Sequence, residues 1–285
     1  MDDLFSAKCP NDDEYIFLRD KEQHAQRREF VESLWTRFHP LADSGFVDLI
    51  ANDFQARFWE MYLACALLDA GFDLSSADEG PDVRVDTDGS PIWVEAMSPG
   101  EGAGPDAVPS HDRDGEACLV PEDLVVLRLR SAIEEKHNAY LRYIQNGLVS
   151  PSDTYIIAVN GRRIPFYMTD NQPSYIVKTV YPFGMHTVTL DGNTAEIVAQ
   201  GFQHRPQIQK KSGSQVDTTV FENEAYAGIS AIIYSCADAW NISDALGADF
   251  QILHNPLATT PIEHGWLKVG LELWATKTEL VRKQW

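Results

Sequence analysis

The sequence has few cysteines and no long apolar run. Its four cysteines are scattered without a CxxC pair, which argues against a cysteine-ligated zinc site and against a disulfide framework. They are typical of free thiols in a reducing compartment. No apolar run approaches the length of a membrane span, and the first residues, MDDLFSAKCPNDDEY, are too acidic and polar for a secretory signal. We therefore expect a cytoplasmic protein that does not enter a membrane.

The motifs of several enzyme classes are also absent. The sequence contains neither GxSxG nor the phosphate-binding loop GxxxxGK[ST], which disfavours serine hydrolases of that type and P-loop enzymes. Its eight histidines form no HExxH motif. We predict that these histidines are ordinary surface or core residues.

Basic residues are scarce, above all in the first half of the chain. The net charge is −20, and residues 1–150 hold 13 Lys and Arg against 30 Asp and Glu, while residues 151–285 hold 10 against 13. Nonspecific binding of duplex DNA requires basic residues that neutralise phosphates, and the acidic first half has too few of them. Any nucleic-acid role therefore requires a local basic surface, supplied by the second half.

The remaining composition is that of a folded protein. With 285 residues and 44% hydrophobic content, the chain can bury a core as one large domain or two small ones. Residues 1–20 are predicted to be a loose start, and residues 98–120, rich in Gly, Pro and Asp, a long flexible loop. Apolar periodicity predicts helices over residues 21–38, 52–70 and 121–145, a buried strand over 154–160, and strands over 175–180, 186–190, 195–199, 228–235, 250–253 and 267–275. The fold class is therefore mixed α/β.

Two carboxylates belong to a predicted β-hairpin over residues 81–99. Val83, Val85, Ile92 and Val94 are β-branched strand formers, and Asp88-Gly89 lies at the centre of the turn between the two segments. If Asp88-Gly89 is the two-residue loop, Asp82 and Glu95 stand directly opposite each other on one face of the hairpin.

Carboxylates this close are costly to bury without a cation. Mg²⁺ or Mn²⁺ is the simplest partner, because these hard ions prefer oxygen ligands. We therefore expect the carboxyl groups of Asp82 and Glu95 to lie within one metal-coordination span, roughly 3–5 Å apart. The alternative is two solvated acids beside a turn.

Two further charged residues occupy unusual positions on predicted helices. Lys136 shares a helix face with Ile133 and Tyr140 and so lies inside an apolar stripe. Its amine either snorkels to water or reaches the hairpin carboxylates. Glu60 lies at the border of the wide apolar arc of helix 52–70, where it is either solvated or directed at the same site.

One segment of the second half is clearly basic. Residues 202–213, FQHRPQIQKKSG, carry Arg205, Lys210 and Lys211. This segment is either a solvated loop or the surface along which a phosphate backbone lies.

Four of these residues form a pattern that resembles the site of the PD-(D/E)XK nuclease superfamily: Glu60, Asp82, Glu95 and Lys136. The resemblance covers residues 52–160, and its motif is Pro81-Asp82 followed by Glu95-Ala96-Met97. Met97 stands where the family has a lysine. In some members that lysine has moved to the next helix, and Lys136 is the residue that could play its part here.

The resemblance implies a restriction-endonuclease-like α-β-β-β-α-β core over residues 52–160. An N-terminal helical segment (1–51) precedes this core, and a β-rich C-terminal extension (161–285) follows it and packs on the same domain. The implied function is a metal-dependent nuclease in which Asp82 and Glu95 hold Mg²⁺ or Mn²⁺ and Glu60 holds a second ion or a bridging water. Lys136 would orient the attacking water or stabilise phosphate oxygens.

Other functions stay open. A catalytically inactive module with the nuclease fold, acting in binding or as a structural part, fits both Met97 and the net charge of −20. A glycoside hydrolase with paired carboxylates would leave Lys136 and the hairpin without a role. The expected partner is nucleic acid, DNA or RNA, and a homodimer is also left open.

Overall fold

The computed structural model describes residues 3–76, 79–110, 119–243, 245–276 and 279–285. Within these ranges the chain has the predicted mixed α/β class. The helices are α1 Asp13–Asp20, α2 Ala25–Phe38, α3 Phe46–Ile50, α4 Phe54–Asp69, α5 Glu122–Gln145 and α6 Tyr175–Val180. The strands are β1 Leu74–Ser75, β2 Val83–Val85, β3 Ile92–Met97, β4 Thr154–Asn160, β5 Phe183–Leu190, β6 Ile197–His204, β7 Gln207–Gln209, β8 Gln215–Asp217, β9 Ala231–Ser235, β10 Gln251–His254, β11 Leu271–Ala275 and β12 Leu280–Gln284.

An eight-stranded mixed sheet forms the centre of the described structure, in the order β1-β2-β3-β4-β9-β10-β11-β12. Strands β1, β2 and β3 pair antiparallel, whereas β3, β4 and β9 run parallel. Helix α5 makes the crossover between β3 and β4 that a parallel pair requires. Strands β10 and β11 form a second parallel pair, and β9 to β12 continue the sheet beyond β4.

Two hydrophobic clusters cover the two faces of this sheet. The first cluster contains α4 and the strand residues Val94 and Ile156, and the second contains α5 with Trp93 and Ile157. Alternate residues of a strand point to opposite faces, so each strand contributes to both clusters. Helix α4 is buried on nearly all sides because α2 and α3 cover the face that the sheet does not.

Two predictions about the chain are wrong in the described ranges. Residues 1–20 are not a loose start, because α1 forms there and Tyr15 is fully buried, with its hydroxyl donating to Leu4 O at 2.9 Å. Residues 175–180 form helix α6 rather than a strand. All six of its residues are buried, and this packing overrides the strand preference of its β-branched residues.

The predicted long loop is described over residues 98–110, which form neither helix nor strand. This part is packed on the domain, because Val108 belongs to the second cluster and Gly100 O accepts a hydrogen bond from Arg128. Residues 111–118 of the predicted loop lie outside the described residues.

Other predictions are confirmed. The strand over residues 154–160 and the helices over 52–70 and 121–145 correspond to β4, α4 and α5. The remaining predicted strands correspond to β5, β6, β9, β10 and β11, with shifted ends. None of the helices in the described ranges is both long and apolar enough to cross a membrane.

Candidate active site

The hairpin of β2 and β3 brings the first two candidate residues together. Val83 pairs with Val94 in antiparallel register, so Asp82, one residue earlier, faces Glu95, one residue later. The Ala96 N–H donates to Asp82 Oδ2 at 2.7 Å, which ties this carboxylate to the strand that carries Glu95. The last pair of the hairpin is Val85 with Ile92, so the loop between the strands is longer than the two residues expected. Its centre is nevertheless at Asp88-Gly89, as predicted. The expected separation of the two carboxyl groups stays a prediction.

Lys136 reaches the same strand from α5. Its Nζ donates to Glu95 Oε1 at 2.6 Å, and the two side chains are 21% and 5% exposed, respectively. The apolar stripe of α5 packs on the sheet face that bears Glu95, which explains why a lysine inside the stripe points there. We predicted that this amine either snorkels to water or reaches the hairpin carboxylates, and the second arrangement is observed.

Glu60 lies on α4, one helical turn after Arg57. The Arg57 guanidinium donates through Nη1 to Glu60 Oε1 at 2.5 Å, and both side chains are mostly buried. Sequence reasoning missed Arg57, although its position three residues before Glu60 is the spacing at which helical side chains pair.

All three carboxyl groups are harder to ionise than usual. Burial, followed by the charge of Asp82, raises the pKa of Glu95 to about 7 despite Lys136. Burial and Asp82 likewise raise the pKa of Glu60 to about 8 despite Arg57. Burial also raises the pKa of Asp82, against the opposing effects of Lys136 and the Ala96 N–H. Burial is thus the main cause at all three groups of this carboxylate pocket, and the charge of Asp82 adds to it at Glu60 and Glu95.

Burial opposes the charge of Lys136 as well, but its anionic neighbours prevail. Desolvation lowers the pKa of its amine, and the carboxylates of Glu95 and Asp82 more than compensate, so the net shift is upward. Lys136 is therefore a cation at neutral pH. This matters because only the charged amine can stabilise an anion.

The residues present suit a divalent metal. Glu95 Oε2 is buried and has no hydrogen-bond partner in the described ranges, so it keeps an acceptor site for a cation. Carboxylate oxygens are the donors that Mg²⁺ and Mn²⁺ prefer. The carboxylates of Glu60, Asp82 and Glu95, all described residues, do not converge as closely as one ion requires, because their ligand atoms do not all lie within 4.8 Å of one another. A single ion would therefore be held by fewer than three of these carboxylates unless a side chain rotates.

Met97 is the uncharged residue at the position where the superfamily that the sequence resembles has a lysine. It follows Glu95 by two residues on the same face of β3 and packs against the second cluster. Lys136 is the amine that contacts Glu95 instead. Tyr155 of β4, which sequence reasoning also missed, has a buried hydroxyl without a partner in the described ranges, and burial and then Glu95 raise its pKa. No sequence signal distinguishes this tyrosine from a core residue.

The basic segment lies apart from the carboxylates. Arg205 pairs with Glu122 at 2.9 Å and with Asp123, both in the first turn of α5, so its charge is already neutralised. Lys210 lines a cavity beside α5. The Lys211 backbone N–H donates to Asp106 Oδ1 at 2.9 Å, in the loop that precedes α5. Strands β7 and β8 flank the two lysines, so the segment is part of a short hairpin.

No protein-family model, no curated protein and no solved structure matches this chain. Because one fold can serve many functions, the function has to be inferred from the residues of the site.

Proposed function

We propose that this protein is a metal-dependent nuclease that hydrolyses phosphodiester bonds of nucleic acid. The observation that carries the proposal is the ion pair of Lys136 and Glu95, with Nζ and Oε1 2.6 Å apart, beside the facing carboxylate of Asp82. Phosphodiester hydrolysis needs an activated water and a counter-charge for the phosphate as negative charge develops. A lysine and two carboxylates on adjoining elements supply groups for both tasks.

The order of elements around these residues supports the same proposal. Helix α4, strands β1, β2 and β3, helix α5 and strand β4 follow one another along the chain as α-β-β-β-α-β. This is the order that the resemblance to the PD-(D/E)XK superfamily implies. The antiparallel pairing of β2 with β3 and the parallel pairing of β3 with β4 support it further. The proposed restriction-endonuclease-like core consists of these elements.

The side chains divide the work of the proposed reaction. Asp82 and Glu95 would hold Mg²⁺ or Mn²⁺, and Glu60 a second ion or a bridging water. When bound, the metal lowers the pKa of water and neutralises charge on the phosphate. The Lys136 ammonium exchanges part of its contact with Glu95 for the attacking water or a phosphate oxygen.

The acidity of the chain bears on how a nucleic acid would approach. A strand must pass a pocket in which carboxylates outnumber Lys136 and Arg57, so the metal is needed for binding as well as for chemistry. Three basic side chains, Arg128, Arg130 and Lys210, line one cavity next to α5. Asp106 and Glu134 line it as well, and Glu134 pairs with Arg130 at 3.4 Å. This cavity is where we place the phosphate backbone.

The competing function is an inactive module with the nuclease fold. It is favoured by Met97, which removes the family's usual lysine, and by the net charge of −20. The two functions differ in a single measurable property, metal-dependent cleavage.

The experiment compares wild-type protein with Lys136→Met and Glu95→Gln on single- and double-stranded DNA and RNA, each with Mg²⁺ and with Mn²⁺. We expect the wild type to cleave at least one substrate. Both substitutions should lower the rate by about 10²–10³ or more, the scale seen when one charge-stabilising group is lost. Binding of the cleaved substrate in Ca²⁺ should change little in Lys136→Met.

Lys21→Met, at an exposed lysine between α1 and α2, is the matched control and should leave the rate unchanged. Circular dichroism and thermal melting would show whether each variant is folded. A wild type inactive under all conditions would favour the inactive module. Cleavage that survives both substitutions would place the active site elsewhere.

A further inference from the structure

A second cluster of metal-ligand side chains lies far from the carboxylate pocket. In the described part of the chain, His254, His264 and Glu272 form a group whose ligand atoms all lie within 4.8 Å of one another. His254 ends β10, Glu272 belongs to its parallel neighbour β11, and His264 comes from the connection between the two strands. We propose that these three side chains bind a divalent transition metal, with Zn²⁺ the best match.

This cluster is separate from the site of Glu95. Strands β4 and β9 lie between β3 and β10 in the sheet. Glu95 alternates with Val94 of the first cluster, whereas Glu272 alternates with Leu271 and Leu273, which pack in the second. The two sites therefore lie on opposite faces of the sheet, and a metal at one is not a metal at the other.

The donor set determines the class of metal. Two imidazole nitrogens and one carboxylate oxygen are typical zinc ligands, whereas Mg²⁺ and Ca²⁺ prefer oxygen donors alone. His254 Nε2 lies 2.7 Å and His264 Nδ1 3.8 Å from Glu272 Oε1. Tetrahedral zinc with bonds of about 2.0–2.2 Å separates its ligand atoms by about 3.3–3.6 Å. Zinc binding would therefore widen the first distance by about 0.6–0.9 Å and shorten the second by about 0.2–0.5 Å.

The carboxylate is already held in place by groups that are not ligands. The Gly265 N–H donates to Glu272 Oε1 at 2.7 Å, and the Trp285 indole N–H donates to Oε2 at 3.1 Å. Such supporting hydrogen bonds orient metal ligands and raise affinity. Gly265 has a φ of +77°, and a Cβ there would stand 2.6 Å from the Trp285 ring, so glycine permits this arrangement.

Two of the three proposed ligands are buried and the third is exposed, so an ion could reach the site from solvent. Glu272 is 1% exposed and His254 is buried, whereas the His264 side chain is 52% exposed. Three protein ligands with one at the surface leave the fourth tetrahedral position open to water or another ligand, as zinc sites of the open type do. The metal would also join the connection between β10 and β11 to the strand that follows it.

The alternative is a simple hydrogen bond between a neutral His254 and Glu272, with His264 merely nearby. That arrangement explains the 2.7 Å contact but gives His264 no part in binding any ion. The two interpretations therefore differ in what His264→Ala does. This variant should fold, because the removed ring is half exposed and its ring neighbours are His254 and Trp274.

The experiment titrates Zn²⁺ into metal-free full-length protein by calorimetry and Co²⁺ by visible absorption. To silence the carboxylate pocket, both titrations are repeated on the double variant Asp82→Asn, Glu95→Gln. We expect one Zn²⁺ per chain in the double variant, at least one in the wild type, and in both a Co²⁺ absorption band of a low-coordinate nitrogen and oxygen site. His264→Ala should weaken Zn²⁺ binding by at least about 10–100-fold, the loss that follows even from removing a supporting partner.

Trp285→Phe, which removes the indole N–H and reduces the bicyclic ring to a single one, should weaken binding by about tenfold. His204→Ala, at an exposed histidine of β6, is the matched control and should bind Zn²⁺ like the wild type. Absence of Zn²⁺ binding in the wild type would overturn the proposal. Binding that His264→Ala leaves unchanged, or that vanishes in the carboxylate double variant, would overturn it as well.

Discussion

The ionisation of Glu60 should cost this protein stability, and Glu60→Gln should remove that cost. The side chain lies on α4 with Arg57 as its one cationic partner, and Asp82 repels its negative charge. Glutamine has nearly the same shape and can still accept the Arg57 hydrogen bond. The substitution therefore changes mainly whether a negative charge has to form in the pocket.

The magnitude follows from the pKa of Glu60, which burial and Asp82 raise from 4.5 to about 8. A group whose pKa is raised in the folded state contributes its full stabilisation at pH values below its pKa in the unfolded chain. That contribution is lost as the pH rises through the pKa of the group in the folded protein. Each pH unit between the two values corresponds to about 1.4 kcal/mol, so the ceiling is about 5 kcal/mol. We expect Glu60→Gln to gain about 2–5 kcal/mol over wild type between pH 5 and pH 9.

Urea unfolding at steps from pH 4.5 to pH 9, with EDTA present, measures this difference. The two proteins should be nearly equal at pH 4.5, and their free energies of unfolding should separate mostly between pH 5 and pH 8. Glu29→Gln, at an exposed glutamate of α2, is the control and should follow wild type throughout. A difference between Glu60→Gln and wild type that stays flat within about 1 kcal/mol would refute the reasoning.

Two further predictions concern the basic segment and a backbone position. Replacing the three basic residues of segment 202–213 by Ala should weaken nucleic-acid binding and reduce its salt dependence, which filter binding at several salt concentrations measures. Unchanged affinity and salt slope would make the segment an ordinary surface hairpin. Gly270→Ala should destabilise by about 1–3 kcal/mol or more, because φ is +64° and the new Cβ would lie 2.3 Å from Phe250 O. Gly192→Ala, which meets no atom within 4 Å, should cost far less in the same urea titration.

Much of the candidate active site could be predicted because local patterns determine it. The turn centred on Asp88-Gly89 and the alternation of strand residues fix which side chains of the hairpin face each other, and the observed register agrees. The helical periodicity around Lys136 likewise determined the face on which its amine lies. These inferences need only the geometry of one hairpin and one helix.

Features that depend on distant packing could not be predicted in this way. Helix α6 is rich in β-branched residues, and only its complete burial beside α5 explains why it is helical. Tyr15 is buried through contacts that include the turn at Leu4, which no periodicity reveals. Similarly, His254 and Glu272 are 18 positions apart, and they meet only because β10 and β11 are parallel neighbours.

Two buried glutamates show how hydrogen bonds change the effect of burial on a carboxylate. Little of either side chain is exposed, yet the pKa of Glu272 is lowered, because hydrogen bonds from Gly265, His254 and Trp285 outweigh desolvation there. Glu95 receives one hydrogen bond, from Lys136, faces the charge of Asp82, and keeps one oxygen without a partner in the described ranges. A carboxylate needed only for the fold would gain stability from a second donor. Within the described ranges no second donor reaches Glu95, and the neighbouring charge of Asp82 makes its ionisation more costly, a cost that a bound divalent cation would reduce.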